Sequence, residues 1–226
     1  KPGYGTVSLP ALVQELRPLP AIHVELRKLP GPLDERALAE EQIRWAEQMM
    51  ASGQFEMARH VYERLAKSNP GSARLELLIA RTYAAQHDTS AALEHLEIAA
   101  DNSPDRPEAR LLASNLLADA GRVADARRWC DSIDETTLDT PVLRQEYAVL
   151  LVKVGEFDRA ISRFDDLISA QPNAAEPYFY RALAFHRMHR STEARRDLEA
   201  FLRLAHGDSP LIAQAKALLK QLAGSR

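Results

Sequence analysis

The chain has 226 residues, a net charge of −3 and one cysteine, with 46 % hydrophobic and 27 % charged residues. A single cysteine excludes an internal disulfide framework and a cysteine zinc site, and a pI near 6.2 removes the electrostatic basis for nucleic acid as the main partner. The composition supports folding rather than wholesale disorder, and no apolar run approaches the roughly 18–20 residues needed to cross a bilayer.

Residues 1–38 form the first region. Six of the thirteen prolines lie here, at 2, 10, 18, 20, 30 and 32, and they exclude a continuous helix. Ile22, Val24 and Leu26 alternate with His23, Glu25 and Arg27, the pattern of a strand with one apolar face. Residues 5–9 (GTVSL) are a second candidate strand, and ALVQEL offers one helical turn. This order of segments resembles the closing strands of a carboxypeptidase-regulatory-like β domain. That resemblance implies a fragment or processed form, in keeping with Lys1 at the start. A Pro-rich linker, or an extended arm that adds a strand to a partner or lies along its own groove, is the alternative.

From residue 39 onward the chain is periodic. Pro70 to Pro104 and Pro107 to Pro141 are each 34 residues, and Gly53, Gly121 and Gly155 keep the same beat. Five units follow, at 39–72, 73–106, 107–140, 141–174 and 175–208. Position 20 of each is Ala58, Ala92, Ala126, Ala160 and Ala194, and position 8 is Ala46, Ala80, Ser114, Ala148 and Ala182. Large apolar residues recur at position 11 (Met49, Tyr83, Leu117, Leu151, Phe185) and at position 24 (Tyr62, Leu96, Cys130, Phe164, Leu198). A fixed period of this length is the mark of a repeat architecture.

Each unit reads as a helical hairpin. Positions 7, 8 and 11 give a first helix one apolar stripe. Position 15, glycine in three units and His87 or His189 in the others, makes the turn and must tolerate positive φ. Position 20 opens a second helix with a stripe at 20, 24 and 27. Small residues at 8 and 20 let the two backbones approach, and proline at 32 ends the second helix. The exceptions at 32 are Leu138 and His206, and Arg181 interrupts the stripe of the fifth first helix.

The 34-residue period with small-8, Gly-15, Ala-20 and Pro-32, as in Ala46–Gly53–Ala58–Pro70 and Ala148–Gly155–Ala160–Pro172, resembles the tetratricopeptide repeat family. The resemblance covers 39–208 and implies an all-α fold: a right-handed α-solenoid of five helix-turn-helix repeats. Residues 209–226 hold one more amphipathic helix (209–222), started by Ser209 before Pro210, which caps the last repeat as solenoids require. Carboxypeptidase-regulatory-like domains sometimes precede such repeats in bacterial envelope proteins, which favours an extracytoplasmic, periplasmic setting over a cytoplasmic one.

Catalysis finds little support. The chain has no Gly-rich phosphate loop, no GxSxG, no HExxH and no CxxC. His186 and His189 share a helix, but 189 is the turn position and Arg187 and Arg190 flank the pair. Cys130, at position 24, reads as a buried core thiol, and Asp165–Asp166 and Arg195–Arg196 as solvated faces. No enzyme activity, cofactor or metal is expected.

The resemblance implies a concave groove lined by positions 2, 5, 9, 12 and 13 of the first helices. The carboxylate clamp for chaperone tails needs Lys at 5 and Asn at 9 together, and Leu111 stands where Lys would precede Asn115, so acidic chaperone C-terminal tails are disfavoured. Ile43, Met50, Leu77, Leu111, Val149, Val152, Phe179 and Leu183 instead form an apolar floor, edged by Glu47, Arg74, Arg81, Asn115 and His186. Such a floor fits an amphipathic helix or extended apolar peptide, although position 5 side chains can also pack between neighbouring first helices. The expected function is a non-enzymatic protein–protein interaction scaffold. The alternative is a structural subunit of a larger complex, anchored by its N-terminal arm and by Trp129, at position 23 of the third repeat, as an exposed interface residue.

Overall fold

The computed structural model describes residues 35–207 and 209–224, and among these every regular element is helical. The first helices are α1 (Glu35–Ala51), α3 (Ala73–Ala85), α5 (Glu108–Asp119), α7 (Pro141–Val154) and α9 (Glu176–Arg187). The second helices are α2 (Phe55–Ser68), α4 (Thr89–Asn102), α6 (Val123–Asp131), α8 (Phe157–Ala170) and α10 (Ser191–Leu204), and α11 (Pro210–Gly224) follows. The second helices begin at 55, 89, 123, 157 and 191, a constant step of 34 residues. They begin at position 17, three residues before the alanine expected to open them, because the turn at position 15 needs only one further residue before helical geometry resumes. The candidate strands at 5–9 and 22–27 and the Pro-rich arm lie outside the described residues.

The turn obeys one backbone rule in all five hairpins. Gly53, Gly121 and Gly155 have φ of 76°, 76° and 84°, and His87 and His189, at the same position, have φ of 61°. A left-handed residue here ends the first helix and lets the chain reverse. In the second hairpin, for example, the Asp88 N–H donates back to the Tyr83 carbonyl at 3.0 Å. The histidines adopt this geometry against the steric preference of a side chain bearing Cβ.

Packing between the two helices of each hairpin follows from small side chains. All ten residues at positions 8 and 20 are fully buried. In the third hairpin, where Ser114 replaces alanine, its Oγ donates to the Ala126 carbonyl at 2.6 Å, so the added hydroxyl is satisfied within the contact. Position 24 is also fully buried in every repeat.

Hairpins associate through α2 on α3, α4 on α5, α6 on α7 and α8 on α9, while α3 touches α5, α5 touches α7 and α7 touches α9. First helices therefore stand beside first helices and form the inner layer, with the second helices outside. Arginine at position 21 ties alternate repeats to the next first helix. Arg59 Nη1 donates to Gln86 Oε1 at 2.7 Å, Arg127 Nη2 to the Val154 carbonyl at 2.7 Å, and Arg195 Nη2 to the Leu222 carbonyl at 3.2 Å. Each acceptor lies 27 residues on, at a helix C-terminal turn, where a cation also meets the negative end of the helix dipole. Arg195 is thus a structural tie rather than a solvated side chain. Leu222 makes α11 the geometric equivalent of a sixth first helix, with Ala215 and Leu222 buried against α9 and α10. Ser209 Oγ accepts from the Leu211 N–H at the start of that helix.

The third repeat departs from the pattern. α6 has nine residues where the other second helices have fourteen, and a short 3-10 turn at Glu135–Thr137 follows. Ile133 and Leu138 fold back and are buried in the place of the missing turn. Leu138 at the usual proline position is therefore a core residue.

Candidate functional site

The inner layer separates the expected groove residues into two sets. Ile43, Leu111 and Phe179 are buried at 5 %, 2 % and 1 % exposure and belong to the cores of their repeats. They do not form part of an exposed floor, because in these three repeats the position 5 side chain is packed into a core cluster. Met50, Leu77, Val149, Val152 and Leu183 are half-buried, each with one side on a core and the other outward. Glu47, Arg74 and Arg81 are exposed or half-exposed, and Asn115 and His186 are half-buried. Arg74 pairs with Glu40 on α1 at 2.6 Å, and Asn115 Nδ2 turns back to the Leu111 carbonyl of its own helix at 3.0 Å.

Two cavities take up parts of this surface. One, of about 540 Å³, lies where α5, α7, α8 and α9 meet. It is lined by Asn115, Val142, Gln145, Val149, Leu167 and Tyr180, among others. Val142 is 65 % exposed, the largest exposure among the outward apolar residues. Gln145 Nε2 donates to Glu176 Oε2 at 2.6 Å, which fixes the amide at the wall. Val142 and Tyr180 are absent from the residues that the sequence singles out. Val142 holds position 2, already a groove position, whereas Tyr180 at position 6 carries no periodic signal. The second cavity, of about 430 Å³, is lined by Glu47, Met50, Ala51, Tyr62, Leu78 and Arg81.

The remaining candidates resolve by burial. Trp129 is half-buried and packs against the cores on both sides of the third repeat, so it covers a junction instead of projecting as an anchor. The exposed tryptophan is Trp45 on α1, 52 % exposed at position 7 of the first repeat. In the next three repeats that position holds Ile79, Ala113 and Tyr147, all buried. Asp165, expected on a solvated face, pairs with Arg181 at 2.5 Å. Cys130 is buried, and burial pushes its thiol up to about 11. Among the described residues no group of three or more His, Cys, Asp or Glu is arranged to hold a metal, and no helix is long and apolar enough to cross a membrane.

Solved structures with the same helical architecture are similar to this chain. One is PilF of Pseudomonas aeruginosa, with 13 % identity, 84 % of this chain and 90 % of that chain covered, and a TM-score of 0.63. Another is TTC0263, a thermophilic TPR protein of Thermus thermophilus, with 19 % identity, 80 % and 99 % coverage and a TM-score of 0.60. A third is YrrB, a TPR protein with an unusual peptide-binding site, at 15 % identity, 82 % and 98 % coverage and a TM-score of 0.59. At such identities these likenesses establish the fold alone. No curated protein matches the sequence. The tetratricopeptide repeat profile matches residues 77–137 and 148–209, more than half of the chain. With the five left-handed turns and the buried small residues at positions 8 and 20, that match places the chain in the tetratricopeptide repeat family.

Proposed function

We propose that the inner layer captures an extended or helical peptide by its apolar side chains, centred on the cavity between α5, α7, α8 and α9. Membership of the family makes the chain a protein–protein interaction scaffold with protein or peptide partners. The observation that carries the finer reading is that first-helix residues from three successive repeats line this one cavity: Asn115, then Val142, Gln145 and Val149, then Glu176 and Tyr180. Half-buried Val149 and exposed Val142 supply apolar contact, while Gln145, Asn115 and Glu176 supply polar groups around it. A peptide side chain entering here would remove Val142 from water, and burial of apolar area drives such association. YrrB, of similar fold, has a peptide-binding site, which is consistent with this use of the architecture. Panning a random-peptide library on the intact chain tests the idea. Captured peptides should be rich in apolar anchors and should be lost on Leu77→Asp with Val149→Asp, with helicity retained. Undiminished capture by that variant would sink the proposal.

The structural-subunit reading rests on Trp45. A tryptophan 52 % exposed where three of the following repeats bury their residue is suited to anchor a protein neighbour. Trp45→Ala should then weaken assembly in native extract while peptide capture persists; unchanged assembly would remove this reading.

A further inference from the structure

We propose that the cavity between α1, α2 and α3 is an amide-binding subsite, taking one carbonyl and one N–H of a bound peptide. The inference rests on the peptide-capture reading and adds a chemical requirement at the N-terminal end of the same inner layer. Tyr62 carries it. This phenol is fully buried at position 24, and its hydroxyl has no hydrogen-bond partner among the described residues. Buried polar groups are nearly always paired, so an orphaned one calls for an explanation. The other fully buried phenol, Tyr147, is satisfied: its oxygen meets Glu135 Oε1 at 3.0 Å and accepts from Arg159 Nη2 at 2.5 Å.

The surroundings of Tyr62 define what would complete it. Glu47 and Arg81 line the same cavity and form no ion pair or side-chain hydrogen bond among the described residues. Burial raises the Tyr62 pKa and the Glu47 charge adds to this, while Arg81 and Arg74 pull it back. The hydroxyl therefore keeps its proton at neutral pH. Tyr62 and Arg81 then offer donors, and Glu47 offers an acceptor, around the apolar wall of Met50, Ala51 and Leu78. An anion would meet the carboxylate of Glu47, and a cation would meet the guanidinium of Arg81. A neutral amide fits both, its carbonyl accepting from Tyr62 and Arg81 and its N–H donating to Glu47. The hydroxyl is closed to solvent, so an acceptor reaches it only when a wall side chain turns aside. Met50, unbranched with three rotatable bonds, can do this at low cost.

The test is NMR of the intact chain with its tyrosine rings labelled, the Tyr62 resonance being assigned by its loss in Tyr62→Phe. Four probes are titrated separately: N-acetylglycine N-methylamide, propanamide, propanoate and propylamine. The amides should shift the Tyr62 ring more than the two ions, and the stronger of the two amides identifies a backbone or an Asn/Gln side-chain source. Glu47→Ala and Arg81→Ala, both at exposed positions, should each weaken amide binding by about tenfold to a hundredfold, the worth of one charge-assisted hydrogen bond. A shift led by either ion, no shift with any probe, or indifference to both substitutions overturns the proposal. The library peptides separate the two readings. Loss of capture in Leu77→Asp with Val149→Asp but full capture in Tyr62→Phe would leave the groove standing and remove the amide subsite.

Discussion

Arg181 on α9 and Asp197 on α10 form a two-point ion pair, Nε to Oδ2 at 2.7 Å and Nη2 to Oδ1 at 2.8 Å. Asp165 on α8 accepts from the remaining Nη1 at 2.5 Å, and the guanidinium lies over the rings of Tyr178 and Phe185. Arginine occupies position 7, where the second, third and fourth repeats have Ile79, Ala113 and Tyr147, and Asp197 is 3 % exposed. Burial works against the charge of Arg181, but the hydrogen bonds to Asp197 and Asp165 outweigh it and hold its pKa above the ordinary value.

Removing one partner leaves a charge stranded in the interior. Arg181→Leu strands the Asp197 carboxylate, which is 3 % exposed, and should therefore destabilise the chain by about 3 kcal/mol, while Arg181→Leu with Asp197→Leu should recover most of that loss. Urea unfolding monitored by helicity gives both values. A single substitution that moves the midpoint no more than the double one would contradict this account.

The contact between positions 8 and 20 has no spare volume. Ala126 is fully buried, and its carbonyl accepts from Ser114. Ala126→Leu should cost about 1–3 kcal/mol by overpacking, and an unchanged thermal midpoint would show that the two helices can separate freely.

The turn position predicts substitutions of opposite sign. Gly121 has φ of 76°, and an added Cβ would meet no atom within 4 Å, so Gly121→Ala isolates backbone strain and should destabilise by about 1 kcal/mol. At His87 and His189 the strain is already present. His189→Gly should stabilise, by somewhat less than about 1 kcal/mol because glycine also gains freedom in the unfolded chain. The same denaturation curves would expose an error of sign in either variant.

Cys130 should resist thiol reagents in the native state and react fully on unfolding, since it is buried and its pKa is raised to about 11. Linkage gives a second readout. The native thiol holds its proton to higher pH than the unfolded one, so its contribution is complete below about pH 9 and falls as pH rises towards about 11. Over that window the stability lost through this group is about 2 kcal/mol. Cys130→Val should show a shallower alkaline decline, and equal slopes would assign the decline to other groups.

The 34-residue pattern by itself determined the architecture, because the features that define it are local. A left-handed turn, two small residues and a helix stop need no knowledge of distant contacts, so the 34-residue spacing of the second helices and the five positive-φ turns follow directly from residue types, although each second helix starts three residues before the alanine expected to open it. The capping role of 209–222 was legible in the same way, from an amphipathic period and a Ser-Pro start. Tertiary structure alone decided which groove residues remain open. Ile43, Leu111 and Phe179 share a register position with half-buried Leu77, and no periodic signal tells how far a neighbouring helix covers each. It also decided the partners of unusual residues, since Arg181 meets Asp197 and Tyr62 lacks any partner among the described residues only once three helices are assembled. Burial and hydrogen-bond satisfaction are properties of the packed neighbourhood. A sequence period fixes only which residues can enter it.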